Sequence, residues 1–187
     1  MKQIRRNVFE TNSSSTHCLT VRKDNLDLPV DESIFLKTYN LTVGQPNSDS
    51  SRNYTGDNNE YIEVETKLNY LYNLLVMIPE ERLDDETSAG KLLKLLVKLF
   101  PNTDFSKLYD YDFYEYTLED GTYGFDDDCC FTKDSKSAIT PFLDENNLKH
   151  FFEYGTAYFG NRDDEYFEDD MIDKSNDSDL LSAEWAG

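Results

Sequence analysis

Apolar positions in this chain recur at two periods, and the changes from one to the other mark out its elements. Ile4, Val8 and Phe9, then Leu19 and Val21, anchor short strands expected over residues 3–9 and 18–22. Between them, Asn12–Thr16 reads as a loop, because Asn and Ser side chains bond their own backbone and resist a regular ladder. In residues 24–43 the pattern is mixed, with Ile34–Leu36 and Tyr39–Val43 each reading as a short strand. Residues 44–59 are rich in Gly, Pro, Ser, Asn and Asp and read as a mobile loop. Tyr61–Glu65 alternates apolar and acidic residues, the pattern of a half-buried strand.

The period then lengthens. Leu68, Leu71, Tyr72, Leu75 and Ile78 recur at helical spacing until Pro79, and a second helix is expected from Ala89 to Phe100, closed by Pro101. In that second helix Lys91, Lys94 and Lys98 share one face while leucines cover the rest, so the pattern predicts a mostly buried helix with a solvated lysine stripe. Tyr111–Leu118 and Tyr123–Phe131 read as strands joined by a turn at Glu119–Thr122. Asp144–Tyr154 reads as a helix with Leu148, Phe151 and Phe152 inward and Gly155 as its stop, and Thr156–Phe159 as a last strand. The expected fold is one α+β domain over residues 1–173, a mixed or antiparallel sheet packed by two or three helices. Residues 174–187 are expected to form an acidic flexible tail.

Composition changes this picture mainly through charge. The 187 residues carry 18 Lys and Arg against 38 Asp and Glu, a net charge of −20, yet aromatic residues reach 14%. A disordered acidic chain is poor in aromatics, so a folded domain with a charged skin is expected. The charge is also polarised. Residues 1–23 hold five basic groups and one acid, whereas residues 101–187 hold six basic groups and 23 acids. Such a field repels nucleic acids and anionic membranes from most of the surface and attracts basic partners. No apolar run approaches the roughly 20 residues that span a bilayer, and no hydrophobic signal region follows Met1–Arg6. A soluble intracellular protein is the expectation. Cys18 and the adjacent Cys129 and Cys130 make no disulfide framework and read as reduced thiols.

Groups able to bind or react are densest near the N-terminus. Arg5, Arg6, Asn12, Ser13, Ser14 and Ser15 are candidates for holding a phosphate, since guanidinium forks and serine donors suit its oxygens. Glu10 and His17 are candidates for a general acid and base, with Mg²⁺ a conceivable cofactor of such an enzyme. The third reading is structural: these polar groups satisfy one another and pin two strands. The two histidines and the cysteines show no metal-ligand spacing. Asp126, Asp127 and Asp128, and likewise Asp163, Asp164 and Glu165, lack the Gly and Glu placement of a calcium loop and read as solvated charge. Together with Glu168, Asp169 and Asp170 they offer a partner-binding surface. Spaced carboxylates among Tyr and Phe can imitate a row of phosphates and occupy a basic channel that otherwise holds nucleic acid.

The segment Arg6-Asn7-Val8-Phe9-Glu10-Thr11-Asn12-Ser13-Ser14-Ser15-Thr16-His17 resembles a shared N-terminal motif. It is found in small proteins from phages and mobile elements of Gram-positive bacteria, some of which resemble anti-CRISPR proteins acting on type II effector nucleases. The match covers about residues 5–21, with looser similarity at Glu65–Leu71 and Tyr158–Glu165; Cys18 stands where the motif would carry serine. The resemblance implies an inhibitor that works in the bacterial cytoplasm. It would bind a basic nucleic-acid-binding protein, a CRISPR effector nuclease or its guide complex, without cofactor and without binding DNA through its acidic surface. The rival expectation is a nuclease or nucleotide-processing enzyme that uses the N-terminal loop on a phosphate substrate.

Overall fold

The computed structural model describes residues 15–42, 59–76, 87–106, 139–161 and 177–186. Its centre is β1 (Ser15–Arg22), a strand with a neighbour on each side. Two 3₁₀ turns follow, Lys23–Asp27 and Glu32–Leu36, then β2 (Asn59–Tyr61), α1 (Val64–Val76) and α2 (Ser88–Leu99). A 3₁₀ turn at Thr140–Leu143 leads into α3 (Glu145–Tyr154), β3 (Thr156–Asn161) and β4 (Leu180–Ala186). The strands form one antiparallel sheet in the order β2-β3-β1-β4. Among the described residues, four antiparallel strands packed by three helices make an α+β fold, as the sequence pattern predicts.

One face of the sheet builds the core. Leu19 sits in register between Ala157 of β3 and Ala183 of β4, with Tyr61 beyond Ala157. These four residues and Val21 join Leu68, Leu71 and Leu75 of α1, Leu92 and Leu96 of α2, and Leu148, Phe151 and Phe152 of α3 in one buried cluster. The two alanines leave room for helices to come close to the strand backbone. Aromatic rings fill the far side: Phe100 stands edge-on to Phe152 at 4.8 Å, Phe35 at 5.2 Å and Tyr39 at 5.7 Å between centroids. Burying each such side chain is worth roughly 1.5–3 kcal/mol, so this cluster dominates the stability of the described framework. On the opposite face Cys18 is fully buried against Tyr158.

Helix ends follow local chemistry. The Thr87 hydroxyl accepts from Gly90 N–H at 3.0 Å to open α2, and the Asp144 carboxylate accepts from Asn147 N–H at 3.0 Å to open α3. The lysine stripe of α2 is exposed as expected, above buried Leu92, Leu93, Leu96 and Leu99.

Several expectations change. Ile34–Leu36 lies in a 3₁₀ turn rather than a strand, because the Asp31 carboxylate accepts from Ser33 N–H and starts a turn there. Residues 39–42 form no strand; side chains of α1 hold this stretch, with Asn69 accepting from Thr42 N–H and Asn73 donating to Thr42 C=O. The strand expected at Tyr61–Glu65 ends at Tyr61 and begins at Asn59, inside the expected loop. Helical periodicity already applies from Val64, and Ile62 is left 60% exposed. β1 takes in Ser15 and Thr16 from the expected loop. β3 is not the last strand: Leu180–Ala186, read as part of a flexible tail, pairs along β1 from Thr16↔Ala186 to Arg22↔Leu180. The strands expected at 3–9, 111–118 and 123–131, and the loop over 44–58, lie outside the described residues.

Candidate functional site

Antiparallel pairing brings Ser15, the start of β1, and Asn161, the end of β3, to one end of the sheet as partners. The chain that carries Arg5–Ser14 therefore enters the sheet at the point where the chain that carries Asp163–Asp173 leaves it. Thr16 pairs with Ala186 and Asn59 with Phe159, so β4 ends and β2 begins at this same end. Arg5, Arg6, Glu10, Asn12, Ser13 and Ser14 lie outside the described residues, as do Asp126, Asp127, Asp128, Asp163, Asp164, Glu165, Glu168, Asp169 and Asp170.

His17 is placed by its backbone. It occupies the central strand, in register with Phe159 on one side and with Trp185, the chain's only tryptophan, on the other. Its position is in phase with Leu19 and Val21, which belong to the core. Ser15, a candidate phosphate donor, is a strand residue opposite Asn161 rather than part of a free loop. Among the residues whose side chains are described, no group of three His, Cys, Asp or Glu is arranged to hold a metal ion.

At the opposite end of β3, where Thr156 pairs with Thr20, the strand is fixed by a contact that the sequence pattern did not reveal. Lys67 of α1 is wholly buried, and its ammonium donates to the carbonyls of Phe151 at 2.8 Å, Phe152 at 2.7 Å and Gly155 at 2.8 Å. These carbonyls end α3 and begin the turn into β3, where the helix dipole is negative; the Phe151 carbonyl also accepts from Gly155 N–H at 2.8 Å. Three N–H groups meet three carbonyls, an arrangement that the charged amine fills completely. The Phe151 ring, with its centroid 5.2 Å from Nζ, adds a cation–π contact. Burial pushes the Lys67 pKa down from 10.5 to about 7, against the attraction of Glu153 and Glu63. The one available sequence signal was position: Lys67 follows Val64 by three and precedes Leu71 by four, on the apolar face of α1.

Gly155 completes the turn. A Cβ there would stand 2.5 Å from the Thr20 carbonyl oxygen and 2.7 Å from both Phe151 Cδ2 and its carbonyl oxygen. Its φ of −90° is open to any residue, so glycine is required by close approach to β1 and not by a left-handed stop. A second tie comes from His150, whose Nδ1 lies 2.7 Å from Asn146 C=O and Nε2 3.0 Å from Leu28 C=O. Beside it the Tyr154 hydroxyl donates to Pro29 C=O. α3 is thus fastened to α1, to β1 and to the Leu28–Pro29 segment, and from that anchorage β3 runs straight to Asn161.

No described helix is long and apolar enough to cross a membrane. Comparison with protein-family models, with curated proteins and with solved structures found no match for this chain.

Proposed function

We propose that this protein is an inhibitor from a phage or mobile element. It would act in the bacterial cytoplasm by binding a basic nucleic-acid-binding protein, a type II CRISPR effector nuclease, in place of that enzyme's guide RNA or target DNA. The observation that supports the reading is the Ser15↔Asn161 pair, in which the last serine of the motif's Ser13–Ser15 run is the partner of the residue that closes β3, two positions before Asp163 in the sequence. The distribution of charge supports it. The described residues hold eight basic and 14 acidic groups; the remaining residues hold ten and 24, so most of the excess acid lies outside the framework. Carboxylates in such excess suit a basic channel and favour fast, salt-sensitive association.

Reversing Asp163, Asp164, Glu168 and Asp169 to lysine tests this directly. Affinity for the purified effector should fall by at least ten-fold, and the remaining binding should depend less on salt. Unchanged affinity would remove the mimicry reading.

A further inference from the structure

His150, one of the chain's two histidines, lies in α3 with 4% of its surface exposed. Each of its ring nitrogens meets a backbone carbonyl. Nδ1 stands 2.7 Å from Asn146 C=O, one turn back in α3, and Nε2 stands 3.0 Å from Leu28 C=O, in the segment between the first two 3₁₀ turns. A carbonyl oxygen has no proton to give, and a neutral imidazole carries a single N–H. In either neutral tautomer, one nitrogen would therefore turn its lone pair on a carbonyl oxygen at hydrogen-bond distance, with no room for a water between them. Only the doubly protonated ring donates to both.

We propose that His150 is held in the folded protein as an imidazolium and acts as a proton-dependent clasp between α3 and the Leu28–Pro29 segment. The charged groups on the surrounding elements suit a cation there. Glu153 lies three positions further along α3, and Asp27 directly precedes Leu28. The neighbouring cations are already engaged: Lys149 with Glu32, Arg22 of β1 with Asp24, and Lys23 with Ser178 C=O. α1 brings Lys67, whose ammonium is taken up by the carbonyls that end α3, and the turn at Thr140–Leu143 brings no titratable group. The Tyr154 hydroxyl donates to Pro29 C=O. Losing one proton turns one of the two ring contacts from attraction to repulsion, and α3 then holds the segment through Tyr154 and a single ring N–H. Folding takes up a proton at this ring. The stability it supplies is therefore present in full below about pH 6.5, where the imidazole of the unfolded chain is itself protonated, and is lost as pH rises. The sign is opposite to that of Lys67.

The test is the nitrogen-15 spectrum of the imidazole rings in the full-length protein at pH 7.5, read by long-range proton–nitrogen correlation. With two histidines in the chain, His17→Gln leaves the His150 signals alone, and His150→Gln identifies the others. His150 should show two protonated nitrogens. One protonated and one bare nitrogen overturns the inference. Urea unfolding between pH 6 and pH 9 gives an independent reading. The folding equilibrium constant of the unmodified protein, divided by that of His150→Gln, should fall as pH rises, by up to about tenfold per unit, while Lys67 and the other groups cancel in the ratio. A ratio that stays constant or rises with pH overturns the clasp. Should His150→Gln fail to fold, the spectrum of the unmodified protein, assigned through His17→Gln, decides the matter alone.

Discussion

Lys67 Nζ donates to the carbonyl of Gly155 across 2.8 Å of buried space, joining the second turn of α1 to the residue where α3 gives way to β3. With its bonds to Phe151 and Phe152, it is the polar contact on which the placement of β3 depends. Two effects compete in it. Burying an ammonium costs several kcal/mol, while each charge-assisted hydrogen bond returns roughly 1.5–3 kcal/mol. The three bonds offset part of the cost, and without them three buried carbonyls lose a donor. Replacing Lys67 by methionine, which keeps the length and removes the donors, should lower the unfolding free energy by about 2–4 kcal/mol in urea. A neutral result would mean that burial cancels the three bonds.

The same group sets a pH dependence of definite sign. Its folded pKa of about 7 lies below the ordinary 10.5, so between these values the unfolded chain holds the extra proton. Stability from this group therefore rises with pH across that window, by up to about 1.4 kcal/mol per unit. Below about pH 7 both states are protonated and the burial cost is present in full. Taking the difference between the unmodified protein and Lys67→Met at pH 7, 8 and 9 isolates the effect, because other groups such as Tyr61, pushed up to about 12 by burial, cancel. A flat difference would show that the carbonyls hold the ammonium near its ordinary pKa.

Gly155→Ala places a methyl 2.5 Å from a strand carbonyl that is itself held in the sheet. Overpacking of this kind costs about 1–3 kcal/mol, and the thermal midpoint should fall accordingly. Combined with Lys67→Met it should be non-additive, since both act on one turn.

Ending the chain after Asp179 removes β4 and uncovers one side of β1. The loss of paired backbone and of the cover over Leu19 and Val21 should cost about 3 kcal/mol or more. A disordered tail could be removed without effect. Circular dichroism melts of the shortened chain distinguish these outcomes.

How far the sequence revealed the fold depended on whether a residue's partners were local. α2 and α3 were legible because leucines and phenylalanines repeat at helical spacing between Thr87 and Pro101 and between Asp144 and Gly155. β4 was missed because Leu180, Leu181 and Ala183 are few and set among Asp, Ser and Glu; only pairing with β1 buries Ala183. The turn at Ile34–Leu36 looked like a strand since three apolar residues in a row carry no period of their own, and a single Asp31 cap decided the matter. Lys67 stood in plain view on an apolar face, but its three acceptors lie more than 80 positions away. At the candidate site, residue type was legible and arrangement was not: no local pattern says that Ser15 faces Asn161.

Inhibition through acidic mimicry can be measured as DNA cleavage by a guide-loaded type II effector nuclease. Adding this protein in stoichiometric amount should stop cleavage, and the Asp163, Asp164, Glu168 and Asp169 reversal should restore it. Cleavage that proceeds unchanged in the presence of the unmodified protein, or stays blocked by the reversed variant, contradicts the claim.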